Sequence, residues 1–424
     1  MRTAVVVGAG MSGLAAAGAL SRTGWRVVVL ERAERVVASP TAVVLWPNGQ
    51  RALESLDPDG GWPAIWSALP DGGVRRPDGQ WLIAPRSRAG TGPAPVVVPL
   101  GDLYDALIAG LGDTVEIRTG FDVTTVLAGR DRRPSAGDGR TMIEADLVVG
   151  ADGIDSRVRA VVAPEAVALG TGLAAWQAVV PSFRVPDLPG FVGGETLGAG
   201  YRFVAVPLGV GNPGGGVAFP GGGYNSGGYN SGGYQGGGYR GGGYRGAVYW
   251  VATAAGAARP ESAATQLALL RRWFAGWHEP VGALLEATRP EDVIPQGVRE
   301  LRPLPRAYGF RCGPGGVVLI GDAAHAMPHH LGQGACLAFE DAATLRVLAA
   351  EAAPGERLVA AIEEYSRLRR PRTTTVIRQN RRMSAVVQAR GRLALRARDA
   401  ALNHMRPRIL GRTLNPAADW SPPG

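Results

Sequence analysis

Gly8-Ala9-Gly10-Met11-Ser12-Gly13 is a G-x-G-x-x-G turn, set between the apolar run Ala4-Val5-Val6-Val7 and an alanine-rich segment that opens at Leu14. Each glycine has its own task. Gly8 permits a tight turn, Gly10 lets backbone amides close on a pyrophosphate at a helix N-terminus, and Gly13 lets that helix pack close to the strand. Ser12, inside the turn, joins them as a candidate ligand. Eighteen residues beyond Gly13, Glu31 ends the next apolar run, Val27-Val28-Val29-Leu30. A carboxylate there can accept hydrogen bonds from both ribose hydroxyls. The glycine turn alone is a weak signal, met in other α/β folds; paired with Glu31 it specifies a dinucleotide site.

Two further motifs decide which dinucleotide. Asp146-Leu147-Val148-Val149-Gly150-Ala151-Asp152-Gly153-Ile154-Asp155-Ser156-Arg157 is the first. The second is Gly321-Asp322-Ala323-Ala324-His325, extended by Pro328, by Leu331-Gly332-Gln333-Gly334-Ala335-Cys336 and by Glu340-Asp341-Ala342. They closely resemble the Asp-Gly and Gly-Asp motifs of the group A FAD-dependent monooxygenases. With the glycine turn they lie in that family's order. The chain is identified as a member of this family, which includes the 4-hydroxybenzoate and salicylate hydroxylases.

The resemblance implies FAD as cofactor, NADH or NADPH as transient reductant, and dioxygen. It implies that Asp322 hydrogen-bonds the ribityl hydroxyls and that Asp152 joins the network near the pyrophosphate and the NAD(P)H path. Gly332, Gln333, Gly334, Ala335 and Cys336 would open a helix whose amides stabilise negative charge on reduced flavin. Arg32 and Val123 complete the expected cofactor contacts. Reduced flavin and dioxygen would give a flavin hydroperoxide that hydroxylates or epoxidises a small aromatic or polyketide-like molecule. Pro328 would wall that site. His330 would take a phenolic proton, since imidazole titrates near neutrality; anchoring the loop is its other reading. His329, Trp176, Gln177, Tyr201, Phe203 and Trp250 are the candidate substrate-side residues, with ordinary packing the alternative for the aromatics. No metal site is expected.

Two positions depart from the family pattern. Leu100 stands where relatives carry an FAD-contacting arginine, and Arg32 is a candidate to compensate. Gln177 stands where many carry an arginine after the tryptophan, which weakens the case for a carboxylate-bearing substrate. A flavin halogenase on this scaffold would need an active-site lysine, and the chain has none. A flavin-dependent dehydrogenase on the same fold, or a degraded paralogue, stays as the alternative.

The elements that must position these groups are legible in outline. The expected fold is α/β: a Rossmann-like FAD-binding domain with an inserted antiparallel-sheet substrate domain and a C-terminal helical region. Its expected parts are residues 1–165 and 306–350 for FAD, 166–305 for substrate, and 351–424 for the helices. Residues 146–150 and 316–321 read as buried strands. Helices are expected over 103–111, introduced by Asp102, over 267–277, over 340–353, and from 354 onwards. Residues 173–180, 201–207 and 248–253 read as antiparallel strands, the last two as hairpin arms. Their loop, 212–246, holds five tandem copies of a five-residue unit with Tyr224, Tyr229, Tyr234, Tyr239 and Tyr244. So glycine-rich a segment cannot offset its ordering entropy, so a floppy hairpin-loop expansion is expected, which loop-closure entropy tolerates.

Composition sets the remaining bounds. With 46% hydrophobic and 19% charged residues among 424, the chain is globular. It has no apolar run long enough to span a membrane, and a cytoplasmic location follows as the default. Cys312 and Cys336 make neither a disulfide framework nor a four-ligand zinc site. All 45 basic residues are arginine, and fourteen fall between 367 and 412 against Asp399 alone. Solvated helix faces, or attraction of an anionic substrate, account for that excess better than a nucleic-acid partner. A monomer or homodimer is expected.

Overall fold

The computed structural model describes residues 1–69, 72–85, 94–188, 191–209, 246–256, 261–404, 417 and 419–423. Apart from Gly246, the Gly/Tyr repeat lies outside the described residues. Two large sheets carry the architecture. The first takes β1 (Arg2–Val7), β2 (Trp25–Leu30), β3 (Val115–Arg118) and β4 (Leu147–Gly150). The second takes β5 (Ala168–Val180), β6 (Gly194–Leu197), β7 (Tyr201–Pro207), β8 (Val248–Ala255) and β9 (Ile294–Leu301). The chain then returns to the first sheet with β10 (Gly309–Cys312) and β11 (Gly315–Leu319).

The first sheet runs β10-β11-β4-β1-β2-β3. Its pairs are parallel except β10 with β11. Val5, Val6, Val148, Val149, Val317 and Val318 are buried, as strands covered on both faces require. Helix α1 (Met11–Ser21) crosses from β1 to β2, followed by α2 (Pro47–Leu56), α3 (Leu100–Ala109) and α4 (Arg157–Val162). Helices α5 (Ala263–Trp273) and α6 (Val281–Ala287) cover one face of the second sheet. The short α7 (Asp322–His325) leads to α8 (Gly334–Ala349), α9 (Glu356–Val387) and α10 (Arg392–Asn403). Helix α8 packs on α1, α2 and α9. No helix among the described residues is long and apolar enough to cross a membrane.

The second sheet runs β9-β5-β8-β7-β6, and β6 then pairs with Val74–Arg75 and, beyond it, Trp81–Ile83. β7 and β8 pair antiparallel from Tyr201↔Ala254 to Pro207↔Val248, the hairpin expected across the repeat. The two outer strands come from the first segment of the chain, so the insertion at 166–305 does not build this sheet alone. Three helices also depart from expectation. α3 starts at Leu100, which puts Asp102 inside its first turn. α5 starts at Ala263, because Ser262 accepts a hydrogen bond from the Thr265 amide and caps it. Finally, 334–349 is one helix rather than two, with no break before Glu340.

Candidate active site

The glycine turn is held by backbone on every side. Gly8 has φ +100°, and a Cβ there would stand 2.6 Å from the Ala151 carbonyl oxygen. A Cβ on Gly13 would overlap the Gly8 carbonyl oxygen itself. Gly10 caps α1 without a side-chain cap, so no capping side chain takes the first-turn amides, although the Met11 amide meets the Tyr104 hydroxyl. Glu31 ends β2 with its carboxylate accepting from the Ala9 amide at 2.8 Å and the Ala33 amide at 2.9 Å. It thus rims the turn. Tyr104 of α3 also faces the turn, its hydroxyl 4.0 Å from where a Gly10 Cβ would be. Nothing in the sequence motif marks that phenol. Leu100 packs on the main core. Arg32 is exposed. Val123 is buried in the main core, which commits its side chain to packing.

The second wall of the cleft follows β11. A Cβ on Gly321 would stand 2.9 Å from Ser12 Oγ and 3.6 Å from Ala338 Cβ of α8. The turn after β11 therefore lies against the first turn of α1 and against α8. Asp322 opens to solvent in it, and no described residue hydrogen-bonds its carboxylate. Protein crowding around it raises its pKa, against the pull of His325 and Arg159. Asp152 is differently placed. Its carboxylate accepts from Ser156 Oγ at 2.5 Å and from the Arg157 and Val158 amides at 2.6 and 3.1 Å. It is committed to the start of α4, and only its backbone adjoins Gly8.

At the flavin end, Gly332 has φ +60°, and a Cβ on Gly334 would meet nothing within 4 Å. Ala335 is half-buried in the first turn of α8. Cys336 points the other way: its Sγ accepts from the Trp46 amide at 3.4 Å and lies 2.7 Å from where a Gly49 Cβ would be. Burial pushes that thiol up to about 12, so it serves as a packing group. Gln333 is buried, its Oε1 accepting from Asn48 Nδ2 at 3.0 Å. These residues fit an FAD. Glycine cradles stand open at Gly10 and Gly334, uncapped helix starts face them, and the Asp322 carboxylate is left unpartnered between.

Beneath α8 lies a buried charged network that the motifs did not announce. Arg369 bonds Glu340 Oε2 and Asp341 Oδ1, both at 2.7 Å, and Arg372 bonds both Glu340 oxygens at 2.5 and 2.6 Å. Asp341 also accepts from the Gly321 amide at 2.9 Å and pairs with His325 Nε2 at 2.6 Å. Burial would raise Asp341, but His325 and Arg369 hold it below the usual carboxylate range.

The Pro328–His330 loop faces the second sheet. Asn380 of α9 donates to the Pro328 carbonyl. Thr253 Oγ1 is 3.4 Å from His329 Nε2, and Arg202 donates to the His330 carbonyl at 3.3 Å. Arg202 is itself clamped by Glu195 at 2.7 and 3.1 Å. Register then fixes the face. Arg202, Thr253 and Ala175 form one row across β7, β8 and β5; Val204, Val251 and Gln177 form the next. Tyr249 donates to Gln177 Oε1 at 2.7 Å.

This geometry corrects four expectations. Trp176, Tyr201, Phe203 and Trp250 all belong to the cluster under α5 and α6, on the sheet's opposite face. Trp176 Nε1 donates to Gln266 at 2.6 Å and Trp250 Nε1 to Thr288 at 3.0 Å, while Phe203 stacks on Trp250 with centroids 5.5 Å apart. Side chains alternate along a strand, so Trp176 and Gln177 cannot both face the loop. Arg202, Thr253 and Tyr249 occupy the face in their place. Trp250→Phe is accordingly expected to lower stability by about 1–3 kcal/mol through the lost Nε1–Thr288 hydrogen bond and lost packing, without moving the KM for the organic substrate. Denaturant melts alongside steady-state kinetics check it; a several-fold KM change would return Trp250 to the pocket.

The fold and cleft define a flavin-dependent oxidoreductase, in which the Arg202–Thr253 face of the second sheet meets the Pro328–His330 loop. The FAD binding domain family matches residues 1–199 and 306–380, and this chain belongs to it. The 3-amino-4-hydroxybenzoate 2-monooxygenase of Streptomyces cremeus is 33% identical over 89% of this chain and 86% of its own length. The aurachin C monooxygenase/isomerase of Stigmatella aurantiaca is 28% identical over 95% and 94%. The structure of Klebsiella pneumoniae HpxO complexed with FAD and uric acid is similar with a TM-score of 0.77, 24% identity and coverage of 99% and 96%. The chain is an FAD-dependent monooxygenase, in a family whose usual reductant is NAD(P)H.

Proposed function

We propose that this monooxygenase uses dioxygen to oxygenate an uncharged, electron-rich aromatic or polyketide-like ring, held between the Arg202–Thr253 row and the Pro328–His330 loop. Bound FAD supplies the redox chemistry, while the chain's residues bind, orient and exclude water. The observation that carries this reading is His330. It is 5% exposed, and both ring nitrogens are buried without a hydrogen-bond partner. Such a group costs about 1–3 kcal/mol, and a substrate hydroxyl donating to it would offset that cost. Burial, then Arg202 and His329, hold its imidazole down to about 2. It is therefore neutral across the working pH range and can accept a hydrogen bond from a phenolic hydroxyl, but it is too weak a base to take that proton outright. Pro328, fixed through its carbonyl, walls the reacting ring. Gln177 would meet the ring's polar edge, and His329 would line the rim.

Two features favour an uncharged ring. The row next to Arg202 is Val204-Val251-Gln177, and Arg202 is already neutralised by Glu195. The benzoate named for the Streptomyces relative carries a carboxylate, for which this face offers no free guanidinium among the described residues. We also infer a cytoplasmic enzyme, monomeric or homodimeric.

A panel of phenols and fused hydroxy-heteroaromatics, scored for NAD(P)H oxidation and a mass gain of one oxygen, tests the reading. His330→Ala and His330→Asn are expected to release several-fold more peroxide per NAD(P)H at retained FAD content; unchanged coupling removes the proposed role. Stability gives an independent check. Below pH 6.5 the unfolded chain takes up a proton at His330 that the folded chain refuses until about 2. The unfolded state then binds more protons, so stability falls as pH drops. From pH 7.5 to 5 this group alone costs about 2 kcal/mol, and His330→Asn should remove that part of the decline.

A further inference from the structure

The residues that open α2 grip the turn leading into α8. Trp46 Nε1 donates to the Leu331 carbonyl at 2.9 Å, and a Cβ on Gly332 would stand 3.3 Å from that same nitrogen. Asn48, in the first turn of α2, is fully buried, as are Gln333 and Glu340. Its Nδ2 donates to Gln333 Oε1 at 3.0 Å and to Glu340 Oε1 at 2.8 Å. Both hydrogens of that nitrogen are therefore used.

Hydrogen-bond chemistry fixes which way Asn48 points. Besides Asn48, Glu340 accepts once from Arg369 and twice from Arg372, which fills the roughly four lone-pair sites of a carboxylate. A flipped Asn48 would set oxygen against oxygen there, so the nitrogen must face Glu340. The orientation is kept although it leaves Asn48 Oδ1 buried without a partner, which costs stability. The chain's end closes the cluster. Arg372 donates to the Ala417 carbonyl at 3.0 Å, and Arg51, three residues after Asn48, donates to the Trp420 carbonyl at 2.8 Å.

The consequence falls on Gln333, the N-cap of α8. That position is where a side-chain oxygen ordinarily accepts from the amides of the first turn. Helix α8 has no such cap; the Gln333 oxygen accepts from Asn48 instead. We propose that Asn48 is a positioning residue for the flavin. It holds the Gln333 carboxamide away from the start of α8, so that the first-turn amides meet the negative charge of reduced FAD. An uncapped helix start presents partial positive charge to such an anion. The inference rests on the reading that the flavin ring lies against residues 332–336.

The two-electron potential of bound FAD, read in the holoenzyme against reference dyes, tests it. In Asn48→Leu the Gln333 oxygen loses its Asn48 donor and can turn back on the α8 amides. Reduced FAD should then bind about tenfold more weakly relative to oxidised FAD, a fall of about 30 mV. Asn48→Leu/Gln333→Leu has no carboxamide to turn back, so it should regain most of the wild-type potential while melting lower than either single variant. A purely structural role predicts the reverse, with the double variant at least as far from the wild-type potential as Asn48→Leu. That result, or an unmoved potential in Asn48→Leu, overturns the proposal. Asn48→Ala, smaller than the native side chain, carries the same comparison if leucine expels the flavin.

Gly334→Asp tests the flavin placement separately. A Cβ there meets nothing within 4 Å, and an acid suits a helix N-terminus, so the fold should hold. Its charge beside the flavin should lower the potential or the FAD content. If neither moves, the placement fails and the proposal with it. If Gly334→Asp responds and Asn48→Leu does not, the placement stands and the role of Asn48 is rejected. Oxygenation of substrate by the wild-type enzyme is scored apart from all of these.

Discussion

Arg369→Met is expected to destabilise the FAD-loaded protein by about 3–5 kcal/mol, the range for breaking a buried ion pair from one side. Arg369 is 1% exposed and its partners Glu340 and Asp341 are fully buried. Methionine approximates the side chain's length but supplies no donor. Glu340 would keep Arg372, whereas Asp341 would be left with His325 and the Gly321 amide. Because that amide lies one residue before Asp322, the damage should extend to the cofactor, and FAD affinity should fall along with stability. Lysine at 369 restores the charge but not the fork that reaches Glu340, Asp341 and the Leu337 carbonyl together, so it should recover less than half. Denaturant titration by linear extrapolation measures the change. A loss under about 1 kcal/mol would mean that Arg372 and His325 suffice, and that Arg369 is dispensable to the network.

That network shows what a sequence withholds. Gly8, Gly13 and Gly321 could be read directly because they stand in short local patterns, a G-x-G-x-x-G turn after an apolar run and a Gly-Asp after another. The backbone and side chains that crowd Gly8 and Gly321 nevertheless come from distant parts of the chain. The apolar runs of β1, β4 and β11 were legible in the same way. The hairpin arms of β7 and β8 were legible across the repeat because each carries its own strand pattern. Arg369 had no such local signature. It sits amid fourteen arginines that look like solvated charge, and its partners are 28 and 29 residues away in sequence. The face of the second sheet was hidden for another reason. Every second residue of β5, β7 and β8 is apolar or aromatic on one side, while the other side mixes Arg202, Thr253 and Gln177 with valines. Large aromatics draw attention to the first side, and only packing against α5 and α6 reveals it as core. The strands at 74–75 and 81–83 are two and three residues long, too short for a period of two to register.

Gly13→Ala should cost the enzyme its flavin. A methyl at Gly13 would overlap the Gly8 carbonyl oxygen, and Gly8 cannot retreat, since its own approach to Ala151 is already too close for a side chain. Strain shared between two backbone segments is harder to relieve than a crowded side chain, so the typical overpacking cost of about 1–3 kcal/mol is a lower bound here. At about 1.4 kcal/mol per tenfold, FAD affinity should drop at least ten- to hundredfold, because α1 must move away from the pyrophosphate it caps. Absorbance of bound flavin against protein, and fluorescence of flavin released on heating, give the stoichiometry. Gly101→Ala is the matched control: Gly101 lies in α3 with nothing within 4 Å of its Cβ position, and alanine is favoured over glycine in helices by about 1 kcal/mol. That variant should stay yellow and melt no lower than the parent. If Gly13→Ala also purified with a full complement of FAD, the turn would be positioning α1 for packing alone, and the pyrophosphate would have to be sought elsewhere in the cleft.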